Sequence, residues 1–361
     1  MAGMIDVCRF TPTAGGTTDW TYSAAVTGYQ SPTAAGAVDG KIYRYRAESS
    51  DLTQWEVGYG AYTASSGVFA RTTVLFNSSG TTSKINFSAA PTVGIVLLAE
   101  DLREQLTAAR TYYVRTDGSD SNTGLANTAG GAFLTVQKAI NVCVTLDLNG
   151  YAITIQLASG TYATASCTTP FLGGEVTILG DTTTPANVIL TTSGLATVTA
   201  DGYGVAISVS GIKFQNTLGS TGYLLFAKYG GRINVTGKCD FGSGTGIIHM
   251  YAESFGVIRA VSISYNITAG GAHHMWANGG FIENRSNTVT ISGGLTFSGA
   301  FARVALASSI YSLSNSWSAN PTCARHLADN AGILNTAGSG TSYFPGTSAG
   351  TVTAATFGLF I

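Results

Sequence analysis

The chain has 361 residues, of which 10% are charged and 45% apolar, with 46 glycines and a net charge of −1. So much apolar residue with so little charge excludes a disordered chain, and the lack of any basic run excludes a nucleic-acid partner held through phosphates. Five cysteines (Cys8, Cys143, Cys167, Cys239 and Cys323) contain no CxxC pair, which argues against a zinc site or a disulfide framework and for reduced thiols assembled in a reducing cytoplasm.

The opening MAGMIDVCRF lacks the basic-then-apolar layout of a secretory signal, so exit from a cell is expected by lysis. The longest aliphatic run, Val93 to Ala99, is far too short for a membrane span, and no membrane insertion is expected. Residues 1–99 read as short strands broken by turns, forming a small β-domain. The strand signals are Lys41 to Glu48, Thr53 to Ala64, Val68 to Phe76, Lys84 to Ala89 and Thr92 to Ala99. Tyr43 and Tyr45 alternate with Arg44 and Arg46, and Trp55, Val57 and Tyr59 alternate again, so each strand buries one face. Asn77 to Gly80 is a turn.

Residues 100–111 form a connector. EDLREQLTAAR begins with acids and ends with Arg110, which predicts a short helix that suits its own dipole. From Tyr112 a strand runs into a turn rich in Gly, Asp and Asn. A helix then starts near Thr135 with Val136, Ala139, Ile140, Cys143 and Val144 on its apolar side. Such a helix caps the open end of a coiled stack of strands, which would otherwise expose backbone edges.

Further on, LLFAKYGGRI, HMYAESFGVI, HMWANGGFI, VALASSIY and RHLADNAGI can be laid over one another. Their alanines fall at Ala227, Ala252, Ala277, Ala307 and Ala328. A period in the twenties, written in strand-forming residues, predicts a solenoid over 112–335, with a C-terminal tail or cap over 336–361. Each turn should land about 4.8 Å above the last, so that equivalent positions become ladders. The inward ladder is then the alanines, with Leu225, Met250, Met275 and Ala305 two residues earlier and His326 breaking that column in the last turn. The outward ladders are Leu224/His249/His274/Val304/Arg325, Phe226/Tyr251/Trp276/Leu306/Leu327 and Lys228/Glu253/Asn278/Ser308/Asp329. Lys228 is expected over Glu253, and Arg259 under Glu283.

The stretch carrying Tyr112, Tyr113, Val114, Gly118, Asp120, Asn122, Gly124, Phe133, Thr135, Val136, Gln137, Ala139 and Ile140 resembles the opening signature of pectin-lyase-like right-handed β-helix proteins, including many bacteriophage tail spikes and fibres. GGEVTILGD from Gly173 and VSGIKFQNT from Val209 look like coils of that family, and the ending from Tyr343 looks like the tail of phage fibre proteins. The first domain is similar to virion-attachment regions of tail proteins. The resemblance implies an all-β fold, a small N-terminal β-domain followed by a right-handed parallel β-helix in a homotrimer. It further implies a tail fibre or spike of a phage or prophage, assembled in the bacterial cytoplasm. That protein would dock on tail or baseplate proteins through the N-terminal domain and contact host surface polysaccharide.

The column Phe226, Tyr251, Trp276, Leu306 and Leu327, with His274 beside it, is a stripe of large apolar side chains that a monomer rarely leaves bare. Two uses follow, a subunit interface or a strip on which sugars stack, and the competing reading is that the column is misassigned and faces inward. A polysaccharide depolymerase needs two placed carboxylates, and from Tyr112 onward there are ten acids with no D–x–D or DD pair. The best catalytic constellation is Glu253, Glu283 and His249. Stacked surface charge is the competing reading of it, and a purely architectural decoration protein is the third reading of the chain. Metal ligation by His249, His273 and His274 is limited by geometry, because residues 273 and 274 face opposite ways. Asp117, Asp120 and Asn122 miss the EF-hand spacing and read as a self-hydrogen-bonded turn. No metal and no cofactor are expected.

Overall fold

The computed structural model describes residues 3–242, 244 and 246–361, which fall into two compact units, Met1–Arg103 and Glu104–Ile361. In the first unit Arg9–Pro12 pairs antiparallel with Trp20–Ala25 and Thr92–Ile95, and Ile42–Glu48 pairs with Thr92–Ile95 and Trp55–Thr63. Val68–Phe69 bridges Trp20–Ala25 and Trp55–Thr63, so these strands close into a ring, with Thr73–Asn77 attached outside it. Phe10, Trp20, Tyr43, Tyr45 and Phe69 fill the interior.

Along Trp55–Thr63 the expected alternation is present, but its buried phase is Glu56, Gly58, Gly60 and Tyr62, while Trp55, Val57 and Tyr59 stay half-buried. The reason is an ion pair. Glu56 and Arg71 are fully buried and bonded to each other, and Glu56 also accepts from the Tyr45 hydroxyl (2.9 Å) and the Ile85 amide (2.8 Å). Arg71 donates to the carbonyls of Gly16, Thr18 and Ile85 and lies 4.8 Å from the Trp20 ring centre. A buried charge with every polar atom engaged is the condition under which such a pair is tolerated.

The helix expected over residues 100–110 is absent among the described residues. Only Ala99–Asp101 makes a single 3₁₀ turn, and Arg110 already begins the strand Arg110–Val114. The charges are spent on tertiary pairs instead, Arg44 with Asp101 at 2.9 Å and Arg110 with Glu104 at 2.6 Å.

The second unit is a parallel β-solenoid. Each turn visits three faces in order, and the faces contain ten, seven and eight strands. The first face runs from Arg110–Val114 to Leu359–Phe360, the second from Gly160–Tyr162 to Ser316–Trp317, and the third from Ala165–Cys167 to Thr351–Val352. One continuous apolar core extends from Leu106 to Phe344.

The capping helix is Val136–Cys143, with Val136, Ala139, Ile140 and Cys143 buried as expected. Thr135 caps it by accepting from the Lys138 amide at 3.1 Å, and Asp120 in turn accepts from the Thr135 amide and hydroxyl at 2.9 and 2.7 Å. Asn122 donates to the carbonyls of Ala129 and Ala132. The Asp/Asn turn therefore binds itself and positions the helix. At the far end the strands Thr351–Val352 and Leu359–Phe360 still extend the parallel sheets, and Phe344 and Phe360 pack on the inward His326 ring.

The corner between the first and second faces holds a polar ladder. The Ile263 amide donates to Asn287 Oδ1, the Asn287 amide to Asn315 Oδ1, and the Asn315 amide to the Tyr343 hydroxyl, all at 2.9–3.0 Å. Each side chain satisfies a corner amide that strand pairing leaves free.

Candidate functional site

On the third face the pairing Ala200–Ala227–Ala252–Ala277–Val304–Ala328 forms the inward ladder. The first three expected alanines stack in register. The fourth does not: Val304 occupies the place assigned to Ala307, because Thr296–Ala305 is a ten-residue strand with a register shift between Thr296 and Ala300. The outward stripe is consequently Phe226, Tyr251, Trp276, Arg303 and Leu327, and Leu306 is not part of it.

These rings bury one another. Tyr223 stacks on Tyr251 at 4.4 Å, Phe226 lies 5.4 Å and Trp276 5.2 Å from Tyr251, and Arg303 sits 4.3 Å over the Trp276 ring. Phe226 and Tyr251 keep only 3% and 4% of their surface exposed. The expected bare stripe is therefore a satellite core closed by Ala196, Tyr223, Ile248 and Ala272. What remains partly accessible is Trp276, with Arg303 and Leu327 above it.

His249 and His274 were expected outside and lie inside, both fully buried. Pairing passes from Tyr223/Ile248 to Leu225/Met250, and from Ile248/His273 to Met250/Met275, so Leu224, His249 and His274 lie at one level that the strand pairing skips, in unbroken register. Consecutive side chains are buried there, and strict alternation fails. His249 stacks on Phe241 and His274 on Tyr265.

Asn284 Nδ2 donates to the Tyr265 hydroxyl (2.8 Å), which is hydrogen-bonded to His274 Nε2 (3.0 Å). His274 Nδ1 lies 3.1 Å from His249 Nδ1, so one of the two carries the proton and the other accepts it. Burial pushes His249 down to about 3 and His274 well below the ordinary imidazole value. His273 faces the other way, as expected, with Nδ1 2.6 Å from the Ala300 carbonyl.

Glu253, Glu283 and His249 are not brought together. Glu253 ends a third-face strand, Glu283 is on the first face in Phe281–Arg285, and His249 is in the core. Glu283 is clamped by Arg259 at 2.7 Å and Arg285 at 2.6 Å. Partial burial alone would raise its pKa, but hydrogen bonds from Arg285 and Arg259 outweigh it and hold the carboxyl below its usual value. A carboxylate kept ionised in this way is a poor proton donor. Arg259 under Glu283 is as expected, whereas Lys228 makes its ion pair with Asp201 at 3.2 Å rather than with Glu253. Among the described residues no group of three His, Cys, Asp or Glu side chains is arranged to hold a metal.

No family model matches this chain, and no curated protein or solved structure matches it.

Beside the accessible part of the stripe runs an open groove lined by the hydroxyl residues Thr296, Ser298, Thr322, Thr347, Ser348 and Thr351, by the small Gly299, Ala300 and Ala324, and by Phe297, Cys323, His326 and Leu327. Arg303 and Arg325 belong to two strands that border it, and their Nε atoms, like Trp276 Nε1 in the neighbouring strand, are buried without hydrogen-bond partners. Sequence reasoning missed both Arg303 and this groove. The signal for Arg303 was the alternative frame FARVALA, in which Val304 takes the alanine position.

Proposed function

We propose that this chain is the subunit of a tail fibre or spike of a tailed phage, prophage or related particle, self-associating as a homotrimer. In this reading the N-terminal β-unit attaches to the virion through tail or baseplate proteins, and the solenoid offers its third face to a host surface glycan. The observation that carries the reading is the union of an antiparallel β-unit with a parallel solenoid whose first turn is opened by the Asp120–Thr135 capping motif. Five buried free cysteines suit assembly in a bacterial cytoplasm.

The glycan part is supported by the chemistry of the third face: a groove of hydroxyls and small side chains beside the partly exposed Trp276, Arg303 and Leu327. Sugars present many acceptor oxygens and apolar ring faces, and repeated copies on a particle allow each contact to be weak. The test is a glycan array probed with the full chain, with Trp276→Ala and Arg303→Ala as variants. Binding that both variants weaken supports the reading, and an array with no signal removes it. A reducing-end assay on bound polysaccharide separates adhesion from cleavage.

A further inference from the structure

The corner between the third and first faces carries a ridge that the fold itself does not need. Backbone hydrogen bonds run along it from turn to turn: Gly202 to Lys228, Phe255 to Gly279, Gly279 to Ala305, Ala307 to Asn330 and Ala331 to Thr356. On this corner stand Tyr203, Tyr229, Phe255, Leu306 and Phe357, large side chains that face outward. Tyr203 is 74% exposed, Phe255 71%, Leu306 57% and Phe357 82%.

The backbone makes the choice of residues stranger. Tyr229, Phe255, Leu306 and Phe357 have φ of 49°, 68°, 55° and 60°. This is the left-handed region, where glycine and asparagine are at ease and a bulky side chain is strained. The same corner does use glycine, at Gly279 and Gly280, which leave a notch in the ridge between Phe255 and Leu306. Bulky apolar residues at strained, solvent-facing positions give nothing to an isolated chain, and strain of this kind is associated with functional surfaces.

We infer that this ridge is the seam along which copies of this chain pack side by side. The inference deepens the fibre reading above and rests on its self-association. Two features select a second copy as the occupant. First, ridge side chains stand on five of the seven successive corners from Tyr203 to Phe357, spaced by whole multiples of a rise of about 4.8 Å, and a partner that follows them must share that rise. A parallel copy of the same solenoid does so by construction. Second, the exposed parts of these five side chains amount to on the order of 700 Å² per copy, close to the ~800 Å² each partner contributes to a specific interface.

The test uses substitutions that relieve the backbone while deleting the ridge. Light scattering on the full chain should give a multiple of the single-chain mass. Phe255→Gly/Leu306→Gly should reduce it to the single-chain mass with an unchanged far-ultraviolet circular dichroism spectrum. Phe255→Asn/Leu306→Asn should do the same, since asparagine tolerates this backbone. A wild-type chain that is monomeric, or double variants that keep the oligomeric mass, would overturn the seam. Running the glycan array on the same preparations separates the two ideas. A monomeric wild type that binds glycan sinks the seam alone, and the same result with binding lost in the Phe255 variants makes the ridge a ligand strip instead. An oligomer dissolved by the variants, with no glycan bound by any of them, keeps the seam and removes the glycan contact.

Discussion

His249 and His274 meet edge-to-face in adjacent turns of the core with their Nδ1 atoms 3.1 Å apart, at one end of a hydrogen-bonded chain that begins at Asn284. All four histidines of the chain are buried, His249, His273, His274 and His326, and burial lowers the pKa of each.

A pH dependence follows from these depressed values. Near 6.5 the unfolded chain begins to take up protons that the folded chain refuses until about 3 to 4. Between those limits the unfolded state binds more protons, so stability is complete above about pH 6.5 and falls as pH drops toward 4. Each histidine contributes a slope of about 1.4 kcal/mol per pH unit there. Urea unfolding at pH 7.5 and pH 5 should show the loss, and His326→Phe, next to Phe344 and Phe360, should shrink it by one proton's share. Equal stability at the two pH values would remove the argument.

Glu56→Gln should be among the most damaging changes in the N-terminal unit. It leaves the Arg71 guanidinium buried without its counter-charge, and removing one partner of such a pair costs about 3–5 kcal/mol. Denaturant titration of the full chain should show an early transition for that unit.

Gly256 stands where the corner presses against the turn below. A Cβ there would lie 2.0 Å from the Ala227 carbonyl oxygen, a contact no backbone shift of modest size relieves. Gly256→Ala is expected to destabilise the solenoid by about 1–3 kcal/mol or more. Gly130→Ala, where a Cβ meets nothing within 4 Å, is the matched control and should melt like the wild type.

Tyr343 closes the corner ladder by accepting from both the amide and the Nδ2 of Asn315, at 3.0 Å each. Tyr343→Phe keeps the ring and orphans the Asn315 amide, while Nδ2 keeps the Asn284 carbonyl and the Ser312 hydroxyl, a loss of about 1–3 kcal/mol by thermal or chemical unfolding. Hydrogen exchange should localise the change to the Asn315 amide and its neighbours. Protection there that is unchanged would mean that the ladder is not closed by the tyrosine.

The stacking of Ala227, Ala252 and Ala277, the inward Met250 and Met275, the capping helix and the Arg259–Glu283 pair could all be read before any coordinate, because they depend on spacing and alternation alone. The reading slipped where the chain departs from its own period. The long strand Thr296–Ala305 moved Val304 into the alanine column and sent Leu306 to the corner. The level of Leu224, His249 and His274, which the strand pairing skips, turned two expected surface histidines inward. The expected helix over residues 100–110 lost to pairings with partners distant in sequence.

By itself, then, the order of residues determined that the chain coils, roughly where each turn begins, and which small side chains meet along the axis, since a repeat in the twenties with alternating polarity admits few other arrangements. Which large side chains stay in water was decided only by the tertiary structure. Phe226 and Tyr251 are hidden by neighbours from adjacent turns, while Tyr203, Phe255 and Phe357 stand out on a corner whose left-handed backbone points them away from the core. Exposure is a property of what packs alongside, and a linear pattern carries no record of it.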